Sequence, residues 1–447
     1  MHDLIVIGGG PGGYEAAAHA GELGKRVLLV EAGSLGGACL NVGCIPAKVF
    51  LRSSRLYREC KEAGPFGVRV EGVSFDAPVV VERKNRIVAA LGRGVAAKLK
   101  GAGVEVVAGR ARLAGRHLVQ VGDEQLEAEN VLVATGSRPT VPPIPGIGAE
   151  HVLNSDRVFD LAEVPQSIAI IGGGYIGLEL ATYFREAGAE VAVFEMLPQI
   201  AANCDSDVSV RLLQALKRSG IDFHLSCRVL AVEAGALRYD DGSGAPKTHV
   251  AERILNATGR APVVAGLGLE EVGVDFSPAG IRISEQGQTS LPGVWACGDV
   301  TGQYMLAHAA TREGIVAVNS MFGIPDRIRY EAIPAVIYTH PEVAMAGRTE
   351  AELTRAGIPF RKATVPMGVA GRFLIENEQG NGFVKVLVGA KAGEILGVHA
   401  VGDSSSEFIV AASALIETAL TARQAAEVVF PHPTVSEALR EAILKVR

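Results

Sequence analysis

Short apolar runs that end in glycine-rich turns recur along the chain, and the first lies close to its start. The run from Leu4 to Ile7 is apolar at every position, as in a strand buried in a parallel sheet. Residues 14–23 then predict a helix, and residues 26–30 predict a second strand that ends at Glu31. This order predicts a strand–helix–strand unit of an α/β fold.

The same pattern returns near the middle of the chain. A strand predicted over 168–171 is followed by a glycine-rich turn, a helix and a second strand that ends at Glu195. Glu31 follows Gly8 by 23 positions, and Glu195 follows Gly172 by the same number. Such turns bind dinucleotides, because glycines let backbone N–H groups approach a diphosphate while the acidic residue binds ribose hydroxyls. The fingerprint glycines are Gly8, Gly10 and Gly13 in the first copy and Gly172, Gly174 and Gly177 in the second.

The acidic residues also indicate which nucleotides bind. A carboxylate at Glu195 would repel the 2′-phosphate of NADP, and residues 196–200 contain no arginine that could attract it. We therefore expect NAD at the second copy. We expect FAD at the first copy, because a flavin can pass electrons between a nicotinamide and a cysteine pair.

The pattern changes after about residue 331. Alternating apolar positions predict a β-hairpin over 382–402, and a helical stretch follows it. We predict an α/β fold with two Rossmann-like dinucleotide-binding domains, the NAD domain inserted in the FAD domain, and a C-terminal α+β domain. The predicted bounds are 1–147 for the first part of the FAD-binding domain, 148–264 for the NAD-binding domain, 265–330 for the second part of the FAD-binding domain and 331–447 for the C-terminal domain.

Composition and charge exclude several classes of protein. The 447 residues have a net charge of −6, which argues against a general nucleic-acid binder. No apolar run approaches the ~18 residues that a membrane span requires. The start of the chain has no basic segment followed by an apolar one, so we predict no signal peptide and a cytoplasmic location.

Two cysteines, Cys39 and Cys44, lie in the segment GGACLNVGCIPAK, residues 36–48. Pro46 suits the first turn of a helix, which places Cys44 at or just before a helix N-terminus, where free N–H groups favour a thiolate. Lys48 lies one turn further on the same face. A metal site would need more cysteine or histidine ligands, commonly a second close pair, and the sequence has none. We favour a redox-active pair, with a metal site and a structural disulfide as the alternatives.

With these motifs in view, the chain resembles the class I flavoprotein disulfide reductases along its whole length. The segment 36–48 is the most specific element, although Ala38 and Ala47 stand where the family usually has threonine and serine. These two departures remove hydroxyl groups from the expected flavin site. Within the family, the dihydrolipoamide dehydrogenases are the most similar branch, through the segments GGGYIGLEL, EMLPQI, GQYMLAHAATREG, YTHPEVA and HPTVSE.

The resemblance implies roles for the residues around the cysteines. Cys39 would exchange disulfide bonds with the substrate, and Cys44 would face the flavin ring. Lys48 would lie near flavin N5 and pair with Glu179. These assignments come from the resemblance to the family. They require a fold that brings the two cysteines, Lys48 and Glu179 close together.

The resemblance also implies a site shared between two subunits. His432 would be the acid–base group, oriented by Glu437, and both would come from the other subunit of a homodimer built through the C-terminal domain. Tyr175 would lie over the flavin on its nicotinamide side. The other implied cofactor-binding positions are Gly109, Thr135, Gly136, Asp299, Ala307 and Gly259.

The implied reaction is the oxidation of dihydrolipoyl groups by NAD⁺ through the cysteine pair and FAD. The substrate would be carried by a lipoyl-bearing protein of a 2-oxo-acid dehydrogenase or glycine-cleavage complex. Two other functions stay open at this point. One is another NADH-dependent flavoprotein disulfide reductase or diaphorase, and the other is a flavin-bound docking or sensor protein with little turnover.

Overall fold

Residues 1–139 build most of one sheet, which is parallel except for an antiparallel extension formed by residues 111–127, and the helices that cover it. The structure is a computed structural model that describes residues 1–377 and 380–447. The strands of this part are β1 (His2–Ile7), β2 (Val27–Glu31), β3 (Glu105–Ala108), β4 (Ala111–Gly115), β5 (Leu118–Val121), β6 (Glu124–Val133) and β7 (Ser137–Pro139). Its helices are α1 (Pro11–Glu22), α2 (Gly37–Val42), α3 (Cys44–Lys61) and α4 (Ala77–Gly101). β1 lies between β2 and β6, parallel to both, which confirms the predicted N-terminal unit.

Residues 152–262 build a second parallel sheet. Its part of the chain contains the strands β8 (Val152–Asn154), β9 (Ser167–Ile171), β10 (Glu190–Phe194), β11 (Asp222–His224), β12 (Arg228–Glu233), β13 (Ala236–Asp240), β14 (Lys247–Val250), β15 (Arg253–Asn256) and β16 (Arg260–Pro262). Its helices are α5 (Tyr175–Ala187) and α6 (Ser206–Arg218). The parallel order is β11-β10-β9-β15-β8, and β12, β13 and β14 form a separate antiparallel sheet. β16 pairs with β7, so a two-stranded ribbon joins the two units.

Residues 269–321 return to the first sheet. They form α7 (Leu269–Val272), β17 (Phe276–Ser277), β18 (Gly280–Ile281), β19 (Val294–Ala296) and α8 (Ala307–Met321). β19 pairs in parallel with β6, and α8 packs against α1. The second dinucleotide unit is therefore inserted in the first, as predicted. Every strand of the second parallel sheet lies between 148 and 264, while the predicted boundaries themselves stay predictions.

The C-terminal part forms one antiparallel sheet with helices packed on it. Its strands are β20 (Ala335–Ile337), β21 (Val343–Gly347), β22 (Phe360–Pro366), β23 (Phe383–Gly389) and β24 (Ile395–Val401). Its helices are α9 (Glu350–Arg355), α10 (Gly371–Glu376), α11 (Ser405–Glu417), α12 (Ala422–Ala425) and α13 (Glu437–Val446). The strand order is β20-β21-β24-β23-β22, and the predicted hairpin is the β23–β24 pair.

One hydrophobic cluster joins the cysteine helix to the second unit. Phe50 of α3 is 2% exposed and packs against Tyr183 of α5, with ring centroids 4.9 Å apart. Burying a side chain of this size contributes about 2–3 kcal/mol. The helix that begins at Cys44 is therefore held firmly against the unit that carries Glu179. Among the described residues, no helix is long and apolar enough to cross a membrane.

Candidate active site

The two glycine-rich turns have nearly the same backbone. Gly8 has a φ of +107° and Gly172 has a φ of +112°. A Cβ atom at either position would lie 2.4 Å from a carbonyl oxygen, that of Ala134 in the first unit and that of Ala257 in the second. Real Cβ atoms do not approach an oxygen so closely, so both positions require glycine.

The third glycine of each turn brings the helix onto the strand. A Cβ atom at Gly13 would lie 1.9 Å from the carbonyl oxygen of Gly8, and one at Gly177 would lie 2.0 Å from that of Gly172. The helices α1 and α5 begin directly after glycine N-caps, Gly10 and Gly174, which offer no side chain to the helix amides. These free N–H groups, at the positive end of the helix dipole, suit a diphosphate.

The acidic residue after each second strand is held in the same way in both units. Glu31 accepts hydrogen bonds from the backbone N–H groups of Gly9, at 2.5 Å, and Gly33, at 2.6 Å. Glu195 accepts from Gly173 at 2.6 Å and from the residue two positions after itself at 2.8 Å. A carboxylate has about four acceptor sites. Each side chain is thus fixed by its own turn and keeps capacity for ribose hydroxyls.

The cysteine pair spans a break between two helices. Cys39 lies in α2 and Cys44 is the first residue of α3, with Gly43 between the helices. The two cysteines form a disulfide with their Cα atoms 4.7 Å apart, and Cys44 is exposed while Cys39 is half-buried. A thiolate released at Cys44 would lie at the positive end of α3.

Two glycines attach this segment to the first dinucleotide turn. Gly36 and Gly37 have φ values of +95° and +59°, and the N–H group of Gly36 donates to the carbonyl oxygen of Gly9 at 2.8 Å. A Cβ atom at Gly37 would lie 2.7 Å from the Cα atom of Gly10. The cysteine segment therefore lies directly against the turn expected to bind FAD.

The predicted pairing of Lys48 with Glu179 is present. The ammonium group of Lys48 donates to both carboxylate oxygens of Glu179, at 2.9 and 3.1 Å. Glu179 also accepts from the backbone N–H group of Tyr338 at 3.0 Å, and Lys48 lies over the Tyr338 ring, 4.2 Å from its centroid. One buried carboxylate of the second unit thus orients a lysine of the first unit and the backbone of the C-terminal domain.

Asp299 lies in a polar network at the edge of the first sheet. The hydroxyl group of Ser137 donates to Asp299, and Arg260 donates from Nε to that hydroxyl oxygen at 2.9 Å. Arg260 also donates to Asp156 of the second unit at 2.9 Å. Burial raises the pKa of the Asp299 carboxyl group, while Ser137 and Arg260 oppose that rise. Sequence analysis missed Arg260, because it lies 123 positions from Ser137 and belongs to the connecting ribbon.

The other predicted FAD positions lie along the same edge. Gly109 follows β3 and donates its N–H group to the carbonyl oxygen of Glu31 at 2.9 Å. Thr135 and Gly136 follow β6, and Ala307 is the first residue of α8. Ligands of open parallel sheets bind at the carboxyl ends of the strands. These residues, together with the free N-terminus of α1, fit an FAD molecule.

The predicted NAD positions meet in one large cleft. The cleft has a volume of about 1990 Å³ and is lined by Gly174, Tyr175, Glu195 and Gly259. Its opposite wall comes from the C-terminal domain, around β21 and α9. Burial raises the pKa of the Tyr175 hydroxyl group, and the neighbouring Cys204 adds to the rise. The free N-terminus of α5 and Glu195 fit the diphosphate and ribose of NAD.

His432 and Glu437 form a hydrogen-bonded pair. Nδ1 of His432 lies 2.9 Å from a carboxylate oxygen of Glu437, whose other oxygen accepts the backbone N–H group of Thr434 at 3.0 Å. The bond with His432, and next that with Thr434, hold the pKa of Glu437 below its usual range. The His432 side chain is 78% exposed, and no hydrogen bond between described residues joins it to the cysteine segment of the same chain.

One acidic cluster has the spacing of a possible metal site. Among the described residues, one group of three acidic side chains lies close enough to share an ion: Asp205, Asp207 and Glu350. The buried ammonium group of Lys385 lies within 2.7 to 2.9 Å of all three. This cluster is therefore an ion-pair network, and it contains neither Cys39 nor Cys44.

Comparisons with known proteins agree with this geometry. The family model described as pyridine nucleotide-disulphide oxidoreductase matches residues 2–314, and that of its dimerisation domain matches residues 333–443. The chain belongs to the pyridine nucleotide-disulphide oxidoreductase family. This membership confirms the predicted family, the fold class and the use of FAD and NAD as cofactors.

Several relatives of this oxidoreductase are similar over their full length. The chain is 40% identical to dihydrolipoyl dehydrogenase 3 of Pseudomonas aeruginosa, covering 100% of this chain and 98% of the relative. It is 37% identical to a dihydrolipoyl dehydrogenase of Bacillus subtilis, covering 99% and 98%. Among solved structures, LpdA of Mycobacterium tuberculosis superposes with a TM-score of 0.91 at 27% identity, covering 99% of each chain. The HOCl-induced flavoprotein disulfide reductase RclA of Escherichia coli has a TM-score of 0.87 at 25% identity, covering 100% of each chain.

Proposed function

We propose that this oxidoreductase is a dihydrolipoyl dehydrogenase, which oxidises protein-bound dihydrolipoyl groups and reduces NAD⁺ to NADH. The observation that carries the proposal is the Cys39–Cys44 disulfide at the start of α3, one turn from the Lys48–Glu179 pair. Full-length similarity to proteins named dihydrolipoyl dehydrogenase, at 35–40% identity, supports the same substrate class.

The cysteine pair would react by thiol–disulfide exchange. A deprotonated thiol of the substrate attacks the sulfur of Cys39, which breaks the bond to Cys44 and releases the Cys44 thiolate. The second substrate thiol then attacks the mixed disulfide, closes the lipoyl ring and releases Cys39 as a thiolate, which takes up a proton. The N-terminus of α3 stabilises negative charge at Cys44. FAD, when bound beside this pair, would supply the two-electron chemistry that links the dithiol to the reduction of NAD⁺.

His432 is the proposed base for the substrate thiols. A free thiol has a pKa of about 8.5 and a histidine one of about 6.5, so neutral imidazole can accept the proton near neutral pH. Glu437 occupies Nδ1 and leaves Nε2 available for that proton. The exposure of His432 suits a residue that completes the site of a second subunit. Val429, three residues earlier, is 90% exposed, which supports a homodimer contact through this segment.

The proposed partner is a lipoyl-bearing protein of a 2-oxo-acid dehydrogenase or glycine-cleavage complex. The proposed compartment is the cytoplasm, because a pair that cycles between dithiol and disulfide suits a reducing compartment. The two remaining functions, another NADH-linked disulfide reductase or diaphorase and a docking or sensor protein, differ from this one in their turnover with dihydrolipoamide.

The proposal is tested by NAD⁺ reduction with dihydrolipoamide, measured beside oxidised glutathione with NADPH. We expect turnover with the first pair alone, and a loss of about a thousandfold or more in Cys39→Ser because the exchange thiol is gone. Cys60→Ser, which changes a free cysteine near the end of α3 and outside the pair, is the matched control and should retain activity. Turnover with other disulfides but not dihydrolipoamide would favour the reductase alternative, and retained dihydrolipoamide activity in Cys39→Ser would refute the mechanism.

A further inference from the structure

An arginine lines the NAD cleft from a part of the chain that the fingerprint does not include. The segment after β10 pairs with the segment before β12 through two backbone hydrogen bonds. Cys227 donates to the carbonyl oxygen of Glu195 at 2.9 Å, and Ser226 donates to that of Leu197 at 3.0 Å. Arg228 is the next residue along and lines the same cleft as Glu195. Neighbouring extended segments lie about 4.8 Å apart, so Arg228 and Glu195 are close neighbours on the wall of the cleft.

The charge of Arg228 has no partner among the residues that the structure describes. Its side chain is exposed, whereas the preceding Cys227 is 2% exposed and packs in the core. In the part of the chain that the structure describes, Arg228 forms no ion pair. Both oxygens of Glu195 accept backbone N–H groups, and no ion pair joins this carboxylate to Arg228. A guanidinium group in this state is available to a ligand phosphate, which it binds through two donors in a plane.

We propose that Arg228 is a determinant of nucleotide selectivity that opposes Glu195. A phosphate on the 2′-hydroxyl of the adenosine ribose meets the repulsion of Glu195 and the attraction of Arg228 together. The rejection of NADP is then set by the balance of two charges from different strands. Because of Arg228, the cleft retains residual affinity for 2′-phosphorylated adenine nucleotides. The inference rests on the NAD site of the proposed function and deepens it.

The test is calorimetric binding of adenosine 2′,5′-bisphosphate and of 5′-AMP to the FAD-loaded protein. Glu195→Gln should strengthen binding of the bisphosphate about tenfold, because a like charge near the phosphate is removed. Arg228→Gln in the Glu195→Gln background should weaken it about fivefold, as expected for an exposed charge pair. Binding of 5′-AMP should change less than about twofold in either variant, and the Arg228 effect should shrink with added salt.

Arg238→Gln is the matched control, since Arg238 is an exposed arginine of the same three-stranded sheet but does not line the cleft. It should leave both ligands unaffected. Equal bisphosphate affinity with and without Arg228 in the Glu195→Gln background would overturn the inference. Binding is measured without turnover, so a wild-type protein inactive with dihydrolipoamide would contradict the proposed function alone.

Discussion

The two dinucleotide units share one turn conformation but differ in the segment that follows their second strand. Their first glycines differ by 5° in φ, and in both units a Cβ atom there would lie 2.4 Å from a carbonyl oxygen. After Glu31, however, the first unit continues into the segment that carries both cysteines, whereas after Glu195 the second forms a wall of the NAD cleft. The turn therefore fixes where a diphosphate binds, and the segment after the second strand decides the chemistry.

The largest effects should come from equivalent substitutions in the two turns. Gly13→Ala and Gly177→Ala each place a Cβ atom about 2 Å from a carbonyl oxygen, so helix and strand must move apart. We expect Gly13→Ala to purify without bound flavin. We expect Gly177→Ala to keep its flavin and to weaken NADH binding by about tenfold or more, because the helix N-terminus moves away from the diphosphate. Flavin absorbance and NADH titration measure the two outcomes.

Gly92→Ala is the control for these two variants. Gly92 lies inside α4, and a Cβ atom there would meet nothing within 4 Å. This change should stabilise the helix by about 0.5–1 kcal/mol and leave both nucleotides bound. Flavin loss in Gly177→Ala, or flavin retention in Gly13→Ala, would contradict the assignment of one nucleotide to each unit.

A smaller effect should follow from cutting the ion pair between the units. Lys48→Met leaves Glu179 buried with the Tyr338 N–H group as its remaining donor among the described residues. Because the Lys48 side chain is 36% exposed, we discount the penalty for a fully buried pair and expect a loss of about 1–2 kcal/mol in the free energy of unfolding. Urea unfolding of the FAD-loaded protein measures it.

Lys98→Met is the matched control, because Lys98 pairs with Glu15 inside the first unit and both side chains are more exposed. Lys98→Met should lower the free energy of unfolding by less than about 0.5 kcal/mol. An equal loss in both variants would mean that the contact between the units adds nothing beyond a surface ion pair.

The smallest effect concerns the charge of Asp299 in the first unit. Burial raises the pKa of this carboxyl group in the folded protein above its usual value. The neutral form is thus favoured by folding, so the stability it contributes is complete below the unfolded pKa of about 3.9 and is lost as the pH rises through the folded pKa. Asp299→Asn should therefore raise the melting temperature of the FAD-free protein at pH 7, with the gap closing near pH 4. If the difference in melting temperature between the variant and the unchanged protein stayed constant with pH, the charge of Asp299 would not be its cause.

Local patterns predicted much of this molecule. The apolar runs and glycines specified β1, α1 and β2, because a strand, a turn and a helix depend on neighbouring residues. The His432–Glu437 pair also lies within a short segment. Arg260 and Arg228 could not be found in this way. Arg260 reaches Ser137 through the ribbon between the units, and Arg228 approaches Glu195 through pairing of two segments about 30 residues apart. A pattern of apolar and polar residues within one short segment cannot predict contacts between segments that lie far apart in the sequence.

Glu179 limits how far the parts of this protein can be exchanged. The NAD-binding unit enters and leaves the first unit as one continuous insertion, which makes it an obvious segment to transplant between relatives. Its carboxylate, however, accepts from Lys48 in one neighbour and from the Tyr338 backbone in the other. A chimera that received a unit without an acid at this position would present a misdirected lysine beside the cysteines. The insertion is continuous in sequence, but it is not an independent module.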